Sequence, residues 1–492
     1  MAVSTDLKEY QNLIGGELRA ATGGSLTDSI DPSTGKAWAR VPKSSKEDAV
    51  TAIEAAQKAF PAWKALSASE RAACLRDAAE VIASNGGELA ALETQDNGWV
   101  IRETTYGLIP VLQQVWLDAA GKAAEANRGQ TVPMSPTSLG YTLREPYGVV
   151  VGITPWNAPL FTFAIKAAYA LAAGNTVVIK PSEQAAVSSL HLGKLLKDVF
   201  PEGVLNVICG PGSEIGDTLV SHPAVDKVSL TGSGGTASSI ARATAGKPKP
   251  LIFELGGKSA NVLFADANIE KAVEAICTYS IFTGNSGQLC VGGSRILVHR
   301  SIIDEVSEGV KQFLQNPQLK QFGPTLEPTT TTGPIATKSQ FEKIQSYIQL
   351  GLDEGAELVY GGRSGGTELI PDRSDLAEGY WVEPTLLKSE TNSLRVCQEE
   401  IFGPVAVMIP FDTEEEAIAL ANDTEFGLAA GVWTSDLSRA HRMVAALDAG
   451  NVWVNTYARV GVDLPFGGVK SSGFGTDSIE DYSREKACVI EM

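Results

Sequence analysis

The 492-residue sequence predicts an α/β protein containing two successive parallel sheets. Three observations predict it. The length exceeds what one ordinary hydrophobic core spans, so two or more packed units are expected. From residue 147 onward, short β-branched runs alternate with helical stretches, the pattern of a parallel sheet covered by helices. A second series of the same kind begins after Glu254.

Taken in order, Leu13-Ile14-Gly15-Gly16-Glu17-Leu18 reads as a hairpin. Ser45 opens a helix, with Asp48 at capping-box spacing and Val50, Ile53 and Phe60 marking the expected buried face. Residues 69–84 read as the next helix, stopped by Asn85-Gly86-Gly87. The first α/β series has strands at 148–154, 175–180, 205–210 and 227–230, with helices at 184–200 and 213–221 between them. The second has strands at 259–264, 294–299, 405–410 and 451–455, with helices at 269–279, 338–354 and 413–422. The polar, turn-rich stretches 317–332 and 363–378 read as surface excursions.

Composition narrows the function classes. A net charge of −18 argues against nucleic acid or an anionic membrane as partner, since both require a basic surface. It leaves room for an anionic cofactor, because helix dipoles and single lysines hold phosphates locally. Residues 1–6 show no basic segment leading into an apolar one, so no signal peptide is expected, and no apolar run approaches the length of a bilayer span. Six scattered cysteines without a CxxC pair fit free thiols in a reducing, cytoplasmic compartment. Four dispersed histidines offer no local metal motif, so no catalytic metal is expected.

Two motifs carry chemistry. Phe253-Glu254-Leu255-Gly256-Gly257-Lys258 places one carboxylate between apolar neighbours, where desolvation raises a pKa and makes a usable base. Asn285-Ser286-Gly287-Gln288-Leu289-Cys290 presents a thiol in a loop where backbone N–H groups can approach a reacting oxygen. Among the six cysteines only Cys290 has glycines on both sides, Gly287 before and Gly292-Gly293 after. On pattern alone Cys290 serves equally as a small residue filling a turn, and Glu254 as a solvated residue at a strand end. A third signal is Thr231-Gly232-Ser233-Gly234-Gly235, between a strand and a helix at 237–245, which suits a phosphate at a helix N-terminus.

Together with Thr154-Pro155-Trp156-Asn157, Lys180-Pro181-Ser182-Glu183 and Glu400-Ile401-Phe402-Gly403-Pro404, these motifs resemble the NAD(P)-dependent aldehyde dehydrogenase superfamily, of the hydrolytic, non-acylating type. The resemblance runs from about residue 12 to the C-terminus. It implies a Rossmann-like cofactor domain (1–127 with 147–254), an α/β catalytic domain (255–455) and a small β oligomerisation arm (128–146 with 475–492). The stretch Tyr141-Thr142-Leu143-Arg144 alternates apolar and polar as an arm strand would.

The resemblance also implies roles. Cys290 is the nucleophile that forms a thiohemiacetal and then a thioester, Glu254 the base, and Asn157 an amide donor to the oxyanion. NAD would contact Thr154, Pro155, Trp156, Lys180, Ser182, Glu183, Gly212, Gly232, Ser233, Leu255, Glu400 and Phe402. Glu183 would accept ribose hydroxyls and repel a 2′-phosphate, leaving NADP secondary. Phe161, Leu289 and Val291 would line an apolar pocket for an aliphatic or aromatic aldehyde. Arg459 reads either as a surface arginine or as an inward ligand for a semialdehyde's distal carboxylate. CoA-acylating chemistry and a non-catalytic nucleotide-binding protein are the rival readings; Glu254, a water activator, argues against the first. A homodimer or homotetramer is implied.

The sequence departs from the family pattern at Ala237, in place of the last glycine of GSxxxG, where tighter helix–strand packing is expected. It departs again at Trp99, where lysine is commoner, and at Gly475-Thr476-Asp477, where Gly-Arg-Glu is usual. These last two are expected to lie away from the reaction centre.

Overall fold

The computed structural model describes residues 7–492. The signal-peptide reading of residues 1–6 therefore lies outside the described part. Two sheets dominate. The first runs, in spatial order, Gly473–Phe474, Leu251–Glu254, Val225–Thr231, Val149–Thr154, Thr176–Pro181, Leu205–Val207, Asn12–Ile14 and Glu17–Arg19. Its five central strands are parallel. The expected hairpin (Leu13 opposite Leu18) extends one end antiparallel, and Gly473–Phe474 edges the other.

The second sheet runs Glu357–Tyr360, Thr385–Lys388, Val405–Phe411, Arg295–His299, Ala260–Leu263, Ala429–Trp433 and Asn451–Val454. It is parallel except for its first strand. Val149, Val150 and Val151 are all buried, as are all residues of Val405–Phe411, because helices cover both faces of a parallel sheet. A separate antiparallel sheet joins Ser483–Glu491, Ser138–Pro146 and Thr131–Ser135. Val132, Met134, Leu143, Val489 and Ile490 are exposed on it.

Chain order reverses in the first sheet between Val149–Thr154 and Val225–Thr231. Successive strands step away from Val149–Thr154 on one side, then resume at Val225–Thr231 on the other. Ligands bind outside the carboxyl ends of strands at such a switch point.

Several expectations need correction. Ser45 does form a capping box with Asp48 at the start of Lys46–Ala65, but the fully buried face is Ala49, Ala52, Ile53 and Ala56. Val50 and Phe60 are only half-buried. The small residues let this helix lie close on the Thr176–Pro181 strand, where Thr176 Oγ1 donates to the Ala56 carbonyl at 2.9 Å. Asn85-Gly86-Gly87 ends one helix, Ala68–Ser84, but at once opens another, Gly86–Asn97. A Cβ at Gly86 would come within 2.8 Å of Ile109, so glycine serves close packing here. The real stop is Gly98, at φ +85°. The 269–279 helix changes to a π turn over Ile276–Ser280. Finally, the excursion at 317–332 is only partly superficial. Thr330, Thr331 and Thr332 are buried, and the Gly284 N–H donates to the Thr331 carbonyl at 2.8 Å.

Candidate active site

Cys290 lies in the loop between the Ile276–Ser280 turn and the Arg295–His299 strand. Ser286 and Gly287 both take positive φ, +51° and +67°. A Cβ at Gly287 would collide with the Gly403 carbonyl, so glycine is required for this loop to lie against the Glu400–Gly403 segment. Ser286 Oγ donates to the Gly333 carbonyl at 2.5 Å, fastening the loop from behind.

Gly256 and Gly257 join three distant motifs. A Cβ on Gly257 would come within 2.5 Å of the Cys290 carbonyl oxygen, and one on Gly256 would strike the Glu400 carboxylate. The Gly257 N–H donates to Glu400 Oε1 at 2.9 Å. Burial pushes the Cys290 thiol up to about 12, with the carboxylates of Glu254 and Glu400 adding to the rise. The N–H groups of Val291 and of Cys290 itself pull against it. The thiol is therefore protonated at neutral pH and needs a base to attack.

Glu254 ends the Leu251–Glu254 strand and is 4% exposed, with neither carboxylate oxygen hydrogen-bonded. A polar group so buried and unpaired costs free energy, and groups held for chemistry often carry such a cost. Its carboxyl is raised to about 9, chiefly by burial, with Asp477 contributing to the rise and Lys166 opposing it. Its oxygen faces Gly467, where a Cβ would approach Oε1 to 3.2 Å and Thr476 Cγ2 to the same distance.

The Gly475-Thr476-Asp477 departure is thus adjacent to Glu254, contrary to expectation. Asp477 is buried, pairs with Lys166 Nζ at 2.8 Å, and accepts from Ser229 Oγ at 2.6 Å and from the Tyr482 hydroxyl. At the other departure the indole of Trp99 donates to Glu103 Oε2 at 2.7 Å, and only the backbone N–H, which a lysine would supply equally, meets the Asn157 network. Trp99 donates its backbone N–H to Asn97 Oδ1 at 2.9 Å, and Asn97 Nδ2 donates to the Asn157 carbonyl at 3.2 Å. Asn157 in turn donates Nδ2 to the Gln288 carbonyl at 2.7 Å. That leaves the second hydrogen of its amide uncommitted among these bonds.

The crevice at the strand switch point fits a dinucleotide. Thr154 Oγ1 and Thr231 Oγ1, at the carboxyl ends of its two bordering strands, are buried without a partner. A Cβ at Gly212 or Gly234 would meet nothing, so packing does not demand glycine there and the backbone stays open to approach. Ser233 caps the Gly234–Thr244 helix, and the Gly232 N–H donates to the Glu254 carbonyl at 3.0 Å. Ala237 is buried in the core beneath that helix.

Lys180 is buried and pairs with the half-buried Glu183 at 3.3 Å, with Ser182 between them. On the other side Phe402 holds φ +61° and stands edge-on to Trp156 at 5.3 Å. Gln340 Nε2 clamps this segment through the carbonyls of Ile401 (2.6 Å) and Phe402 (3.0 Å), and Lys343 Nζ reaches the Glu400 carbonyl at 2.8 Å. Leu255 is buried beside Gly256, and its N–H donates to the Ser472 carbonyl at 3.0 Å. Pro155 sits between Thr154 and Trp156 at the strand's end.

Leu289, Trp453, Ala458 and Phe466 pack with Cys290 against Val291, Leu428 and Ala429. Phe161 and Val462 pack on the neighbouring helical core. Arg459 is exposed, and its carbonyl accepts from Trp453 Nε1 at 3.1 Å.

Sequence reasoning did not single out Asn97, Lys166, Gln340 or Lys258. Lys166 left a readable trace: it is the lone charge on the apolar helix Pro159–Ala172 and is fully buried.

Fold and site together define an oxidoreductase acting on aldehydes. Residues 19–489 match the aldehyde dehydrogenase family model. The chain is 40% identical to aldehyde dehydrogenase 1 of Tanacetum cinerariifolium, over 99% of this chain and 96% of that one. It is 38% identical to an aldehyde dehydrogenase of Deinococcus radiodurans, over 99% and 94%. An NAD+ complex of aldehyde dehydrogenase from Bacillus cereus superposes with a TM-score of 0.93 at 36% identity, covering 99% of this chain and 97% of that one. The chain belongs to the aldehyde dehydrogenase family.

Proposed function

We propose that this chain oxidises an apolar aliphatic or aromatic aldehyde to its carboxylic acid with NAD, through a covalent bond to Cys290. The observation that carries the reading is the buried, unpaired Glu254 carboxylate in electrostatic reach of Cys290.

Cys290 Sγ loses its proton toward Glu254 and bonds to the aldehyde carbon. The resulting oxyanion takes a hydrogen bond from the free half of the Asn157 amide and one from the Cys290 N–H. NAD, when bound, supplies the hydride acceptor that converts the thiohemiacetal to a thioester. Glu254 releases the thiol's proton to solvent and then takes one from the water that attacks the thioester; the C–S bond breaks, the acid leaves, and that proton passes to the Cys290 thiolate. Trp156, Lys180, Glu183, Glu400 and Phe402 would hold NAD. The Glu183 carboxylate disfavours the 2′-phosphate of NADP.

The exposed position of Arg459 supports an apolar tunnel, not capture of a distal carboxylate. We read 1–127 with 147–254 as the cofactor domain, 255–455 as the catalytic domain and 128–146 with 475–492 as an assembly arm of a homodimer or homotetramer, a division that the two separate large sheets support. Free cysteines throughout the described residues support a cytoplasmic setting.

The test is NADH formation from hexanal, benzaldehyde and succinic semialdehyde, with and without CoA, by wild type and Cys290→Ala. Expected are highest kcat/KM for the apolar pair, no CoA requirement, and no turnover by Cys290→Ala despite retained NAD binding. A preference for succinic semialdehyde overturns the substrate reading, and turnover by the variant overturns the nucleophile.

A further inference from the structure

We infer that Asn97 is a positioning residue for the oxyanion donor, resting on the reading of Asn157 as that donor. Asn97 is the last residue of the Gly86–Asn97 helix and is fully buried. Its Nδ2 donates to the Asn157 backbone carbonyl at 3.2 Å, and Asn285 Nδ2 donates to the same oxygen at 3.0 Å. Asn285 belongs to the Cys290 loop, so one carbonyl ties together the helix end, the Asn157 turn and the nucleophile's loop.

Both side chains are oriented by further bonds. Asn97 Oδ1 accepts from the Trp99 N–H at 2.9 Å, which fixes the amide so that its Nδ2 faces Asn157. Gln288 Nε2 donates to Asn285 at its backbone carbonyl (2.9 Å) and at Oδ1 (3.3 Å), while Gln288 Oε1 accepts from the Ala336 N–H at 2.8 Å. The Asn157 amide closes the ring by donating to the Gln288 carbonyl. The ring holds the Asn157 backbone with two donors and commits one amide hydrogen, so the other has a single direction left. The Asn157 turn otherwise bears no side-chain cap on the helix that follows it, since Ala158 occupies the N-cap. With Asn97 removed, the carbonyl keeps one donor and the turn gains freedom to rotate. Displacement of a positioned group by about 1 Å costs up to roughly a hundredfold in rate.

The experiment is a double-variant cycle with Asn97→Ala, Asn157→Ala and both together, measuring kcat, KM for NAD and the thermal midpoint. The aldehyde is whichever of hexanal, benzaldehyde or succinic semialdehyde wild type oxidises fastest. Asn97→Asp runs in parallel: it keeps the volume and the acceptor for Trp99, and it stands in if the alanine variant does not fold.

Expected is a kcat loss of roughly tenfold to a hundredfold in the Asn97 variants, with KM for NAD changed less than about threefold. The double variant should be no slower than Asn157→Ala within about threefold, because both changes remove one function. Equal kcat in wild type and the Asn97 variants overturns the inference, and so do multiplying losses in the double variant. If Asn157→Ala alone keeps the wild-type rate, the underlying oxyanion reading falls first, and that outcome is distinct from the other two.

Discussion

Glu254 and Lys258 sit four residues apart in one motif, and burial acts on them in opposite directions. Glu254, raised to about 9, carries its proton near neutrality and becomes a base as pH climbs. Wild-type kcat should therefore rise between pH 7 and 9. Glu254→Gln should lose roughly 10²–10⁴ in turnover together with that rise, which steady-state rates across the range would check. Lys258 is fully buried with no partner for Nζ, and burial lowers it from 10.5 to about 7. Between those values the unfolded chain binds the proton that the folded chain refuses, so this group makes stability increase with pH across that window. Lys258→Met should melt at or above the wild-type temperature near pH 7, with the advantage narrowing toward pH 9 in calorimetry. Asp477 shows why single residues were harder to read than motifs. Its role depends on meeting Lys166 and Ser229, which are remote in sequence, beside the nearby Tyr482, and no local pattern announces that meeting.

At the scale of elements, periodicity and capping were legible wherever local chemistry decides. The Ser45–Asp48 box and the Gly15-Gly16 hairpin formed as their residues dictate. The helix after Asn85 was missed because Gly86 answers a distant neighbour, Ile109, and not a local stop signal. The buried end of the 317–332 excursion was missed likewise, its burial resting on the Cys290 loop it packs against. The Lys338–Asp353 helix was anticipated, but not that it reaches into the cofactor side through Gln340. Phe402 holds a left-handed conformation that costs about 1–3 kcal/mol for a non-glycine residue, and Gln340 helps to impose it. Gln340→Leu should raise KM for NAD roughly fivefold to tenfold, the worth of about 1–1.5 kcal/mol, while iodoacetamide alkylation of Cys290 proceeds at the wild-type rate.

Across the whole molecule, both sheets followed from the alternating pattern but not every strand did: Glu357–Tyr360, Thr385–Lys388 and Ala429–Trp433 were not among those expected, nor was the antiparallel edge strand Gly473–Phe474. Two residues are too short to register as a strand until Phe253 and Glu254 are seen opposite them. The three-stranded sheet exposes Leu143 and Ile490, apolar side chains that a subunit partner would cover. Leu143→Glu with Ile490→Glu should lower the mass seen by light scattering, and an unchanged mass would remove this sheet from the assembly contact.

The C-terminal tail has one more consequence. It first edges the Glu254 strand, then anchors Asp477 against Lys166, and within a few residues becomes the outer strand of the exposed sheet. If the chain assembles through that outer strand, a pull on it would run along a short tether to the Asp477 charge near Glu254. Mass action would then enter catalysis: diluting the enzyme until subunits part should lower specific activity, and reconcentration should restore it.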